Sequence, residues 1–159
     1  MKKNDNYSKL TPLAALDKLK HYCAYQERCH ADVSNKLFGY GINSLEQGPI
    51  IAYLIEENYL NEERYATQFA GGHYRLKKWG RIKIVQALKQ KQISEYLIKR
   101  ALKEIDEDDY LETLHKLAEA KWPGIKAPSI LHRRQKCKMY LMQKGYEPHL
   151  INEVIKQLE

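Results

Sequence analysis

Apolar residues recur along this chain at three- and four-residue intervals, and they never alternate with polar ones for long enough to build a strand. The pattern predicts an all-α fold. Residues 1–11 carry no such period and read as a disordered tail. Thr11-Pro12 is a helix start: a hydroxyl N-cap, then proline at the first helical position, where its missing N–H costs nothing. The helix it opens has Leu13, Leu16, Leu19 and Cys23 as its buried stripe. Arg28 to Tyr40 forms a second helix with Val33 and Leu37 stacked on one face. INSLEQG then reads as a loop, and Pro49 opens a third helix carrying Ile50, Ile51, Leu54 and Ile55.

The plan repeats. Leu37, Leu88 and Leu141 each follow an apolar or sulfur side chain by four residues (Val33, Ile84 and Cys137), and these six are the expected core. After each leucine comes a short turn and a helix with paired apolar positions: Ile50-Ile51 and Leu54-Ile55, Leu97-Ile98 and Ala101-Leu102, Leu150-Ile151 and Val154-Ile155. The second and third copies match at a constant offset, whereas the first carries extra residues between Leu37 and Ile50. Three three-helix repeats follow the tail, at 12–57, 58–105 and 106–159. A unit of about 50 residues buries too little alone, so it needs a neighbour to complete its core. Gly41 and Gly145 stand where a helix closes in a left-handed conformation, and Gln92 holds that place in the middle copy, where it is less comfortable. Ser94 is the N-cap of the next helix. Acids from Glu104 to Asp109 mark a connection, Tyr110 to Lys121 is helical, WPGIKAP stops it, and Pro128 or Ser129 starts another helix.

Charge changes the picture more than composition does. The chain has 159 residues, a net charge of +7 and a pI near 9.2, which suits an anionic partner. No window has the roughly 18 apolar residues of a membrane span, and the first residues lack the apolar core of a signal peptide. Cys23, Cys29 and Cys137 are three, an odd number without framework spacing, which points to a reducing, cytoplasmic setting. The excess charge is clustered. The acidic turn Asn61-Glu62-Glu63 opens an apolar series Ala66, Phe69, Ala70, His73, and from Gly71 to Lys103 basic residues outnumber the single acid, Glu95.

Within that run Arg75, Lys77, Lys78, Arg81, Lys83, Lys89 and Lys91, with Trp79 among them, form the candidate binding face, since aromatic and arginine side chains dominate interface hot spots. Arg133, Arg134, Lys136 and Lys138 form a secondary basic face. Glu62, Glu63 and Arg64 read as a helix-start device, with Arg64 pairing locally. Gly80 permits a close approach by a partner or a neighbouring helix, and Gly71-Gly72 marks either a helix break or tight packing. His21, Cys23, Cys29 and His30 match no zinc spacing, no Gly-rich phosphate loop exists, and no catalytic constellation is visible, so neither a metal, a cofactor nor an enzyme is expected.

The middle repeat resembles the RecX family of bacterial RecA regulators. Tyr59-Leu60-Asn61-Glu62-Glu63-Arg64-Tyr65-Ala66 fits its Y-L-[ND]-[DE]-x-R-[YF]-A stretch. Lys78-Trp79-Gly80-Arg81-Ile82-Lys83-Ile84 fits K-x-G-x-x-[KR]-[IV], and Leu88 to Ile93 fits L-x-x-K-G-[IV], with Gln92 in place of the glycine. The first copy fits from Glu27 to Leu37, with Cys29 where serine is usual and Asp32 where glutamate is. The third matches at Leu141 to Tyr146 and in the closing helix. The resemblance implies a curved, elongated array of the three repeats lying in the groove of the RecA–single-stranded DNA filament. Such a protein is a monomer with weak direct DNA contact that mainly inhibits the RecA ATPase and strand exchange, within recombinational repair and the SOS response. The residues alone leave a second reading, a stand-alone helical DNA-binding module whose basic helices track phosphates.

Overall fold

The computed structural model describes residues 9–159, all of whose regular elements are helical. They are α1 (Pro12–Tyr25), α2 (His30–Gly39), α3 (Ser44–Glu56), α4 (Glu62–Lys77), α5 (Arg81–Gln90), α6 (Glu95–Lys103), α7 (Glu107–Lys121), α8 (Ile130–Lys144) and α9 (Pro148–Gln157), with a 3-10 turn at Trp122–Gly124. Residues 1–8 of the expected tail lie outside the described residues. Lys9 to Thr11 are held: Leu10 N–H donates to the Tyr40 carbonyl at 3.0 Å, and the Thr11 hydroxyl caps α1. The helices gather into two compact units, one reaching to Tyr65 and including Lys91–Ile93, the other formed by Ala66–Gln90 and Ser94–Glu159.

In the first unit α1, α2 and α3 pack pairwise around Ala15, Leu19, Val33, Leu37, Ile50 and Leu54. The α1 stripe is rotated from its expected position: Leu13 is 71% exposed and Ala15 is fully buried, so the small side chain meets the neighbouring helices. The third helix also corrects the sequence reading. It starts at Ser44, and Pro49 lies inside it. Asn43 and Glu46 form a reciprocal capping box, in which the Asn43 side chain accepts from Glu46 N–H at 3.0 Å and the Glu46 carboxylate accepts from Asn43 N–H at 3.4 Å. The supposed extra loop residues are therefore the first turns of α3. Gln47 hid them, because it occupies the position that Ile98 and Ile151 hold in α6 and α9. A buried amide is tolerable when it is satisfied. Gln47 accepts from Ser34 Oγ at 2.7 Å and donates to the Ile42 carbonyl at 3.1 Å.

The repeat is visible in α2, α5 and α8. Val33 and Leu37, Ile84 and Leu88, and Cys137 and Leu141 are all fully buried. Four residues beyond each leucine the chain turns left-handed, at Gly41 (φ 79°), Gln92 (φ 61°) and Gly145 (φ 99°). The next residue in each copy, Ile42, Ile93 or Tyr146, tucks into the core and closes the helix end. A left-handed glutamine costs more than glycine there, and the buried Ile93 offsets that cost.

Two cations at the surface of the first unit are paired. Arg64 pairs over a long range, with Nε donating to Glu27 Oε1 at 2.5 Å and the terminal nitrogens donating to Asn58. Lys91, expected on the binding face, donates from Nζ to Asp32 Oδ1 at 2.8 Å. Burial alone would raise the Asp32 pKa, but bonds from Lys91 and from the Cys29 N–H hold it below its ordinary 3.8. A carboxyl depressed in the folded state contributes stability above its unfolded pKa and loses it as pH falls through the folded value. Asp32→Asn should therefore cost about 1 kcal/mol at neutral pH, a modest figure because the lysine is half exposed and screened. It should also flatten the loss of stability below about pH 4 in urea titrations. An acid profile identical to that of the parent chain would refute the pairing.

In the second unit α5 packs on α6, and α7, α8 and α9 pack pairwise. α4 runs through Gly71-Gly72 without a break. Gly80 has no room for a side chain, since a Cβ there would strike the Gly145 carbonyl. Two backbone bonds seal that approach, Gly80 N–H to the Lys144 carbonyl at 2.7 Å and Ile82 N–H to the Gly145 carbonyl at 2.9 Å. The close approach foreseen at Gly80 is thus made by the end of α8.

Candidate functional site

The basic run separates into two groups once its side chains are placed. Arg81, at the start of α5, is 26% exposed and fully engaged inside the second unit. Its guanidinium donates to Glu107 at 2.7 Å and to Glu147 at 3.0 Å, forms an ion pair with Glu147 at 2.7 Å, and lies over the Tyr110 ring at 3.9 Å. Its backbone N–H donates to the Tyr110 hydroxyl at 3.0 Å, and that hydroxyl donates to Glu147 at 2.5 Å. Burial would lower the Arg81 pKa, but its hydrogen bonds to Glu107 and Glu147 raise it overall. Burial, then the bond to Glu147, likewise raises the Tyr110 phenol. Tyr110 continues into a ring series, 6.0 Å from Tyr74 and 5.1 Å from Tyr146. The Tyr74 hydroxyl donates to Asp109 and lies 2.9 Å from Thr113 Oγ1, and burial together with Asp109 pushes its pKa up to about 12. Arg81 is thus a brace joining the starts of α5, α7 and α9, which sequence reasoning could not separate from its exposed neighbours.

The other cations stay at the surface. Arg75, Lys77, Lys78 and Lys89 are exposed and Lys83 is half buried. Lys78 takes a left-handed conformation (φ 57°) at the end of α4, and its carbonyl accepts from the Tyr146 hydroxyl at 3.0 Å. This holds the turn that presents Trp79. The indole lies 4.5 Å from the His73 ring, which itself stacks 3.9 Å from Phe69. Lys83 and Lys77 sit over the indole with Nζ at 4.7 and 5.4 Å from its centre. Lys144 joins them, its Nζ donating to the Lys77 carbonyl at 3.3 Å. No carboxylate pairs with Lys77, Lys78, Lys83 or Lys144 among the described residues. Lys144 was missed because it lies far along the chain. Phe69 and His73 were visible as part of an apolar stripe, but only Ala66 and Ala70 of that stripe are fully buried.

The secondary basic face is largely engaged. Arg133 donates to the Trp122 carbonyl at 2.7 and 3.2 Å and lies over that ring at 4.3 Å, Arg134 pairs with Glu159, and Lys136 donates to the Lys126 carbonyl at 2.7 Å. Lys138 is half buried. Among the described residues no cluster of His, Cys, Asp and Glu is placed to hold a metal, and no helix is long and apolar enough to cross a membrane. The three thiols are buried and unpaired, and burial raises all three, Cys29 to about 11.

The two domains carrying these features match known family models, "RecX, second three-helix domain" at residues 61–102 and "RecX, third three-helix domain" at 107–155. This chain belongs to the RecX family. Among its relatives, the Regulatory protein RecX of Clostridium perfringens (strain 13 / Type A) is 36% identical over 110 residues, covering 68% of this chain and 51% of the relative. That of Lactobacillus johnsonii is 29% identical over 145 residues, covering 91% of this chain and 54% of the relative. The chain thus spans about half the length of the curated relatives it matches. A solved structure titled "Crystal structure of regulatory protein RecX" superposes with a TM-score of 0.83 at 25% identity, covering 92% of this chain and 73% of the other. The structure of RecX from Lactobacillus salivarius has the same TM-score at 24% identity, covers 92% and 96% of the two chains, and supports the fold. Within the RecX pattern, Gly80 and Arg81 shape the second unit, whereas Lys78 is exposed and Trp79 and Lys83 are half buried.

Proposed function

We propose that this RecX-family chain regulates RecA without catalysing a reaction itself. It binds the RecA–single-stranded DNA filament and mainly inhibits its ATPase and strand exchange. In this reading it acts in the cytoplasm as a monomer, needs no cofactor, and is built of the three repeats at 12–57, 58–105 and 106–159. The observation that carries the reading is the uncompensated lysine surface at the end of α4 and start of α5, on a chain of a family whose members are named regulatory proteins. Arg75, Lys77, Lys78, Trp79, Lys83 and Lys89 form the contact surface. Arg81 and Lys91 are engaged by carboxylates of the chain itself, Glu147 and Asp32. A cationic surface without local counter-charge attracts a polyanionic filament and speeds its encounter, with strong salt dependence.

The test is the single-stranded-DNA-dependent ATPase rate of RecA, measured with this protein titrated in well below one copy per RecA. Inhibition at those ratios is the expected result. No effect on the ATPase, with tight and salt-sensitive binding to bare DNA, would replace this reading with the stand-alone DNA-binding module.

A further inference from the structure

The aromatic group at the end of α4 is more than a helix cap. Left-handed residues end several helices here, and each is followed by an apolar or aromatic side chain that closes the turn. In three of these turns the closing residue is buried: Ile42, Ile93 and Tyr146. Trp79 is not. It packs one side against His73, and its ring stays partly open with two ammonium groups over it. The His73 ring is fixed in turn, since its Nδ1–H donates to the Phe69 carbonyl at 2.8 Å and its plane stacks on Phe69 at 26°. The result is a cluster of three rings reaching the surface, with His73 stacked on Phe69, Trp79 tilted at 43° to His73, and Lys77 and Lys83 over the indole.

From this geometry we infer that Trp79 is a stacking platform for an unpaired nucleobase of single-stranded nucleic acid, with Lys77 and Lys83 contacting the phosphates on either side. The chemistry favours that occupant. A lysine holds an exposed ring only weakly, whereas a nucleobase stacked on an aromatic ring is held more strongly. A base can therefore displace the ammonium groups, which exchange the ring for phosphate oxygens. An acidic peptide would satisfy the lysines and leave the flat ring without a matching surface. The inference rests on the filament-binding reading, in which the partner carries a single strand, and it names the part of that partner that meets Trp79.

The test uses the whole chain and an oligodeoxythymidylate, which does not itself fluoresce. The chain has 2 tryptophans, and Trp122 is buried beneath Arg133, so the difference between wild type and Trp79→Phe isolates the Trp79 emission. Quenching of that emission on titration is expected. Trp79→Ala should bind roughly ten- to a hundredfold more weakly, and Trp79→Phe should retain most of the affinity. Lys77→Gln with Lys83→Gln should lower the log–log salt slope by about 1.4, which Trp79→Ala leaves unchanged. Melting curves of both Trp79 variants identify any loss that comes from unfolding. Wild-type affinity in Trp79→Ala, or quenching by polyglutamate and not by the oligonucleotide, would overturn the platform. The filament reading is scored separately by the RecA ATPase. Inhibition by wild type with no loss of DNA affinity in Trp79→Ala removes the platform alone. Quenching without inhibition supports the platform and removes the regulatory reading.

Discussion

Glutamate at Lys77, Lys78 and Lys83 together should weaken the proposed association with the RecA filament by on the order of a hundredfold or more, because each like-charge juxtaposition at an interface costs several kcal/mol. Helicity and melting temperature should change little. Lys77 and Lys78 are exposed, Lys83 is half buried, and none of the three pairs with a carboxylate among the described residues. Arg81→Glu is the informative contrast. It sets a third carboxylate against Glu107 and Glu147 and takes the cation off the Tyr110 ring, so it should lower the melting temperature sharply. Filament co-sedimentation and thermal melts on both proteins decide the point. A triple-lysine variant that binds normally would remove this face from the interface. An Arg81→Glu protein with wild-type stability would contradict the bracing role.

Leu141→Ala should destabilise the chain by about 2–5 kcal/mol, through lost transfer free energy and the cavity left behind. The side chain is fully buried in α8, next to the turn at Gly145. Its carbonyl also accepts the Tyr146 N–H at 3.2 Å, so collapse of the cavity is resisted by a fixed turn on one side. Equilibrium urea unfolding measures the effect. A loss well below 1 kcal/mol would mean that the site repacks freely.

The two experiments address different parts of the chain, and the sequence treated them unequally. The leucine ladder was legible because burial on a helix leaves a local period: Val33 with Leu37, Ile84 with Leu88 and Cys137 with Leu141 lie one turn apart, and all are fully buried. The left-handed turns were legible at Gly41 and Gly145 for an equally local reason. The start of α3 was not, because its buried face begins with Gln47, whose polarity concealed a position satisfied by Ser34 and by the Ile42 carbonyl. Leu13 misled in the opposite sense, since α1 presents Ala15 inward and leaves the larger side chain in solvent.

The basic run shows the limit most clearly. Arg75, Arg81 and Lys83 look alike in sequence, and each is a cation near a helix end. What becomes of such a cation depends on partners in other elements: Glu107 and Glu147 hold Arg81, and Asp32 holds Lys91. By itself the sequence determined the helices, their repeat and the ladder of buried leucines, because those follow from neighbours three and four residues away. Only the tertiary structure decided which cations brace the fold and which are left for a partner. An ion pair is set by proximity in space, and helix periodicity carries no record of residues sixty positions distant.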